Sequence, residues 1–247
     1  MIRSIFVIAV TFAYIVILGI PVIAYAMLTG NTDPVYRTGV VGARMALWLA
    51  GVRLDVRGRE KIPKGRAVVF MPNHQSNCDP PATLVVVPPV LVMAKQEFFR
   101  VPILGRAMRL RGFIPVDRKN RERAIAAVEK AIETIKAGNS FLAYPEGTRS
   151  PDGRLQPFKK GVFVMAIKAG APIVPMSISG TSHIMRKGEA RIRPGIVRIT
   201  MHDPVPTEGC TLEDRGKIIE RVRAAIMTGL TKEEQPLETP LHHAHQG

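Results

Sequence analysis

Apolar positions fall along this chain in three regimes. From Ile5 to Leu28 they are almost continuous, and no charged residue occurs between Arg3 and Asp33. As a helix, those 24 residues extend about 36 Å, more than a hydrocarbon core of about 30 Å. Pro21 falls inside the run and predicts a bend. Ala24-Tyr25-Ala26 has the small-residue form of a leader-cleavage site, but the stretch is long for a signal core and only Arg3 precedes it, so it reads as an uncleaved anchor. A second regime begins at Asp33-Pro34, an N-terminal cap followed by proline at the first helical position. It predicts a helix over 35–50 with Val40, Val41, Leu47 and Trp48 on its apolar side and Gly51 at its end.

From residue 52 the pattern alternates between short β-rich runs and helical segments. Strands are expected over 52–56, 67–71, 90–94, 112–116, 141–144, 173–179 and 196–201. Several are apolar throughout, as strands covered on both faces should be. Asn120 caps a helix over 121–137 that carries Ile125, Val128, Ile132 and Ile135 on one face and ends at Gly138. A shorter helix is expected over 160–169, closed by Gly170, and Thr211-Leu212-Glu213-Asp214 opens a last one with Ile218, Ile219, Val222 and Ile226 buried. The fold expected is α/β: one domain over 52–230 with a largely covered mixed sheet flanked by helices. Membrane-associated helices over 1–51 precede it, and a flexible polar tail over 231–247 follows.

Charge changes the picture. Among the 247 residues, 35 Lys and Arg against 20 Asp and Glu give a formal net charge of +15, which favours a polyanionic partner: nucleic acid, an anionic membrane surface or a phosphorylated substrate. Nucleic acid fits poorly, because aromatic residues are 6% of the chain and the apolar N-terminus is a poor companion. Arg37, Arg44, Arg53, Arg57 and Arg59 follow the apolar run. By the positive-inside rule they place the domain on the cytoplasmic side of the cell (inner) membrane, where salt should weaken attraction to anionic lipid. Cys78 and Cys210 have no paired spacing, so neither a disulfide nor a zinc site is expected. His183 and His202 have no partner spacing, and the tail histidines His242, His243 and His245 suggest no metal site.

The candidate chemistry sits directly after predicted strands. The run 67–71 leads into Asn73-His74-Gln75-Ser76-Asn77-Cys78-Asp79, the run 90–94 into Lys95, 112–116 into Asp117-Arg118, and 141–144 into Glu146-Gly147-Thr148-Arg149-Ser150. Ligand sites in α/β sheets lie at the carboxyl ends of strands, so these loops can share one cleft. His74 and Asp79 would diverge by about 140° on a single helix, but can meet where a loop turns into one. Asp79 precedes Pro80 and Pro81, as a residue at a helix N-cap does. Its carboxylate could hold Nδ1 of His74 and leave Nε2 as a general base; a turn-forming histidine beside a mere capping aspartate is the structural alternative.

These blocks, with Phe158-Lys159-Lys160-Gly161 and Val174-Pro175-Met176-Ser177-Ile178-Ser179-Gly180 behind them, resemble the four ordered blocks of the glycerolipid acyltransferase family. Its best-known members are 1-acylglycerol-3-phosphate acyltransferases. The resemblance covers about residues 70–181; Tyr144 stands where phenylalanine is commoner. It implies that His74 deprotonates the sn-2 hydroxyl of lysophosphatidic acid while Asp79 orients it. The acyl group would come from a thioester of coenzyme A or acyl carrier protein, with no other cofactor, giving phosphatidic acid. It implies further that Lys95, Arg149 and, as a helper, Arg118 hold the acceptor phosphate, and that Glu146, Gly147, Thr148, Ser150 and Pro175 shape the loops. Two alternatives remain. One is a relative acting on lyso-ornithine lipid, glycerol 3-phosphate or another lysophospholipid; the other is a non-catalytic basic protein of the membrane surface.

Overall fold

The computed structural model describes residues 1–117 and 119–237. In chain order the elements are α1 (Ile2–Thr29), α2 (Asp33–Leu49), β1 (Val52–Arg57), β2 (Val69–Pro72), α3 (Asp79–Val86), β3 (Leu91–Lys95), α4 (Leu104–Leu110), β4 (Ile114–Val116), α5 (Arg121–Lys136), β5 (Phe141–Leu142), α6 (Lys160–Ala169), β6 (Ile173–Ser179), α7 (Thr181–Ile184), β7 (Gly195–Met201) and α8 (Arg215–Thr228). The strands form one sheet in the order β1-β7-β6-β2-β5-β3-β4. From β6 to β4 every neighbouring pair is parallel, and β7 turns the direction by running antiparallel to β6. The mixed sheet expected from the sequence is therefore present, with five consecutive strands ending on one edge.

Alternation along the central strands divides the core in two. Val69 and Met71 of β2 pack with Ala131 and Ile135 of α5, Phe163 of α6 and Val222 of α8. Val68 and Phe70 face the other way, with Ala82 and Val86 of α3 and Leu47 of α2. Both faces are covered, which is why these strands read as continuous apolar runs. Fully burying one such Phe or Met contributes about 1.5–3 kcal/mol.

The helix ends follow the sequence signals closely. Asn120 caps α5 by accepting a 3.0 Å bond from Arg123 N–H, and Gly170 closes α6 in the left-handed region at φ 64°. Three expectations shift. Asp33 and Asp79 are the first residues of α2 and α3 rather than their caps. The last helix starts at Arg215, because Asp214 folds back to accept from Thr211 N–H at 2.9 Å and so holds residues 211–214 in a turn. Within the stretch read as a flexible tail, Glu234 is only 4% exposed and bonded to Gly180 N–H, whereas Leu237, the last residue described, is 72% exposed. His242, His243 and His245 lie outside the described residues. Pattern gave no warning of α4: only two turns long, it is set by Gly105, where an added Cβ would meet Phe99 O at 2.3 Å.

α1 passes through Pro21 as one helix, is long and apolar enough to cross a membrane, and is almost uncovered by the rest of the chain. It packs on α2, where the Tyr14 hydroxyl donates to Thr38 O at 2.9 Å and the Tyr14 ring fills the space left by Gly42. It also touches the α/β domain at two points along its length: Ser4 Oγ accepts from Ile192 N–H at 2.9 Å, and Gly19 lies against Ile103.

Candidate active site

The five parallel strands bring the expected loops to one edge of the sheet. β2 lies between β6 and β5, so the turn that follows it receives neighbours from both sides. On the β6 side the fully buried Asn73 amide replaces strand pairing after the ladder stops: its Nδ2 donates to Ile178 O at 2.8 Å and its Oδ1 accepts from Ile178 N–H at 2.7 Å. On the β5 side Glu146 Oε1 accepts from His74 N–H at 2.7 Å, and Ser150 N–H donates to His74 O at 2.8 Å. The loop after β5 thus holds both the N–H and the carbonyl of His74, while Asn73 ties the preceding residue to β6.

Residues 74–79 wrap around one carboxylate oxygen. Asp79 Oδ2 meets His74 Nδ1 at 2.7 Å and accepts from Gln75 N–H at 2.6 Å and Ser76 N–H at 2.7 Å. Asp79 is fully buried, and its Oδ1 has no partner among the described residues. A charge so placed persists only with strong donors around it. It favours the tautomer with hydrogen on Nδ1 and stabilises positive charge on the ring. Nε2 makes no hydrogen bond among the described residues, and the side chain of His74 is 15% exposed. The imidazole stacks on Tyr144, ring centroids 4.1 Å apart and planes 25° apart. The arrangement is an oriented base with one accessible nitrogen, able to remove a proton from a hydroxyl.

Glu146 is 2% exposed and burial pushes its carboxyl up to about 8, against two backbone donors, His74 N–H and Gln156 N–H, that favour its charged form. The first of those bonds holds the His74 backbone, and both Glu146 oxygens are occupied by the protein. Gly147 takes φ 71° to close the turn over Tyr144 O. Ser150 faces inward, 1% exposed, with its hydroxyl on Asp152 Oδ1 at 2.9 Å, so it shapes the loop. Thr148 is exposed. Pro175 lies inside β6, in register with Met71, and its carbonyl accepts from His202 N–H; it shapes the sheet below the site rather than a loop.

The cations are less tightly grouped. Lys95 ends β3, with β5 between it and β2, and is exposed and paired with Glu97 at 2.9 Å. Arg149 follows Glu146's turn, and its Nη1 is buried with no hydrogen-bond partner among the described residues, which suits a guanidinium awaiting an anion. No bond joins Lys95 to Arg149 among the described residues. Arg118 lies outside the described residues. Cys78 is buried beside Asp79, and burial pushes its thiol up to about 12, the reverse of what a nucleophile requires. His202, without a partner in sequence, has one in space: Ser177 Oγ at 2.6 Å, itself donating to Ile226 O. Burial lowers its pKa, and the pair ties β6 to β7 and α8 on the core side of the sheet.

The positions that sequence reasoning missed act through these bonds. Asn73 fixes the turn to β6 and Gln156 N–H holds Glu146 beside it, and only Asn73 carried a signal, its place directly before the histidine. Tyr144, the departure from the family's pattern, is the surface on which the His74 ring stacks.

Known proteins share this assembly. A family model described as Acyltransferase matches residues 53–179, from β1 to the end of β6. The chloroplastic 1-acyl-sn-glycerol-3-phosphate acyltransferase BAT2 of Brassica napus is 36% identical over 173 residues, 68% of this chain and 50% of that protein. The 1-acyl-sn-glycerol-3-phosphate acyltransferase of Limnanthes alba is 33% identical over 78% of this chain and 69% of its own length, and the human alpha enzyme 35% over 73% and 65%. The match thus spans half of the Brassica protein and about two thirds of the other two. The crystal structure of the 1-acyl-sn-glycerophosphate (LPA) acyltransferase PlsC from Thermotoga maritima superposes with a TM-score of 0.80 at 31% identity, over 92% of this chain and 94% of that one. With the four loops in order on a shared sheet, and more than half of the chain inside the family's boundaries, this protein belongs to the acyltransferase family.

Proposed function

We propose that the chain transfers a fatty acyl group from a thioester to the sn-2 hydroxyl of 1-acylglycerol 3-phosphate, forming phosphatidic acid. The observation that carries this reading is the buried Asp79 bound to Nδ1 of a His74 whose side chain is 15% exposed and whose Nε2 has no hydrogen-bond partner among the described residues. Nε2 takes the hydroxyl proton as the substrate oxygen attacks the thioester carbonyl carbon. The carbon–sulfur bond then breaks, and the departing thiolate recovers the proton from the imidazolium, whose charge Asp79 has stabilised. No acyl-enzyme is needed, in keeping with the raised pKa of Cys78. Arg149, whose Nη1 has no partner among the described residues, and Lys95 at the end of β3 bind the acceptor phosphate; the thioester is that of coenzyme A or acyl carrier protein.

The acceptor is supported by the names of the relatives and by the cations near the base. A lipid acceptor also suits α1, whose apolar surface is uncovered, together with exposed Trp48 on α2. The same helices hold the domain at the cytoplasmic face of the cell membrane, on the side of the basic residues that follow α1. The test is acyl transfer to lysophosphatidic acid by membranes carrying the protein. Labelled phosphatidic acid supports the reading, whereas transfer only to lyso-ornithine lipid, glycerol 3-phosphate or another lysophospholipid replaces the acceptor.

A further inference from the structure

The chain between β3 and β4 folds back on itself and presents an apolar stripe to the outside. Directly after Lys95, Gln96–Arg100 form a short 3-10 helix, and α4 begins at Leu104. The two are locked together from within: Phe99 is buried, Gly105 packs against its carbonyl, and the Arg109 guanidinium donates to the same oxygen. Phe98, Val101 and Leu104 recur at every third residue on the outside, and all three are exposed. Val101 N–H bonds Phe98 O, which holds the first two in line. Arg100 and Arg106 flank the stripe, both exposed and neither in an ion pair among the described residues, unlike Lys95 with Glu97.

This hairpin meets α1 in the interior of its apolar run. Ile103 lies against Gly19, and Arg106 Nη2 reaches the Met27 sulfur at 3.5 Å. Gly19 stands nine residues before Leu28, about 14 Å of helix, so a segment packed on it shares the depth of that part of α1. Ile103 is held there against backbone strain: at φ 61° it is the one residue other than glycine with positive φ among the described residues. The turn directs Ile103 to α1 and leaves Leu104 outside with Phe98 and Val101. We propose that Phe98, Val101 and Leu104 form a membrane-inserting surface of the α/β domain, seated in lipid beside α1, with Arg100 and Arg106 at the level of anionic headgroups. Apolar side chains enter the boundary between headgroups and acyl chains while arginines reach back to phosphates. Lipid is the occupant because the stripe continues the uncovered apolar surface of α1 and has cations at its rim. The inference rests on the reading of α1 as a membrane helix and is independent of which lipid accepts the acyl group.

The experiment uses the full chain with Cys210→Ser, which leaves only the buried Cys78. One of Phe98→Cys, Leu104→Cys, Phe12→Cys on α1 or Ile125→Cys on α5 is then added to carry an environment-sensitive fluorophore; Ile125 is exposed on the opposite face of the sheet. Vesicles are equimolar phosphatidylcholine and phosphatidylglycerol, bearing nitroxide either on headgroups or along acyl chains. Probes at 98 and 104 should be quenched at least about twofold more by acyl-chain than by headgroup nitroxide, the depth of an interfacial apolar face. Position 12 should behave likewise, and position 125 should stay unquenched. Phe98→Asp/Val101→Asp should abolish the quenching at 104 while leaving thermal unfolding in detergent unchanged. Quenching at 98 no stronger than at 125, or by headgroup nitroxide alone, overturns the proposal. So does quenching at 104 that survives the aspartates, since α1 alone would then hold the hairpin near lipid. Shielding of position 98 in detergent that grows with protein concentration also overturns it, by showing a second copy of the chain on the stripe. An unquenched probe at 12 overturns the membrane reading of α1, and the insertion falls with it; quenching at 12 without quenching at 98 overturns the insertion alone.

Discussion

Replacing Asp79 by asparagine removes one charge while keeping almost every atom in place. The Asn amide oxygen can sit where Oδ2 does and still accept from Gln75 N–H and Ser76 N–H, which now approach at 2.6 and 2.7 Å. His74 Nδ1 keeps a neutral partner. Each of the three bonds loses its ionic component, about 1 kcal/mol apiece, so the fold should weaken by roughly 3 kcal/mol at most. Catalysis should suffer more, because the imidazolium formed during proton transfer loses the buried carboxylate that stabilised it. General-base assistance accounts for about 10²–10⁴ in rate, equal to roughly 3–5 kcal/mol of barrier. The expected outcome is a kcat lowered at least about a hundredfold with the acceptor's KM little changed. Steady-state transfer at fixed folded protein, with thermal unfolding alongside, measures both effects. A folded Asp79→Asn protein with kcat within about threefold of the parent would refute the reasoning.

Three further outcomes follow from particular side chains. The folded pKa of Glu146, about 8, lies above the ordinary value of 4.5. Between those values the folded chain binds the extra proton, so this residue's contribution to stability falls as pH rises from about 4.5 to 8 and then levels; Glu146→Gln should flatten that slope in unfolding measurements taken at both ends. Cys78, buried and held as a thiol, should leave transfer unaffected by thiol alkylation of the folded protein, and loss of activity both on alkylation and in a folded Cys78→Ala variant would give it a nucleophilic role. Binding to vesicles should be stronger with anionic lipid and weaken with salt; binding indifferent to both would separate the basic residues from the membrane.

How far the sequence could be read depends on the range of the interaction involved. Strands covered on both faces and caps such as Asn120 and Gly170 announce themselves within a few residues, so the α/β layers were legible. So was the edge on which His74, Lys95 and Glu146 gather, because parallel strands put their following loops together. The pairing of His74 with Asp79 was legible too, since six residues close it. What escaped depends on distant partners. Nothing local says that Asn73 will bond Ile178, that Glu234 will return to Gly180, or that Ser177 will meet His202. Ser150 turns inward because Asp152 and Gly153 form its turn. α4 depends on a close backbone approach at Gly105, which hydrophobic spacing does not encode.

The central claim is that His74 is the base of a phosphatidate-forming transfer, and labelled acyl transfer to lysophosphatidic acid by parent and His74→Ala, at equal folded protein, tests it most directly. The account predicts phosphatidic acid from the parent and a loss of at least about a hundredfold in the variant. Unchanged turnover by His74→Ala would contradict it, even with the same product.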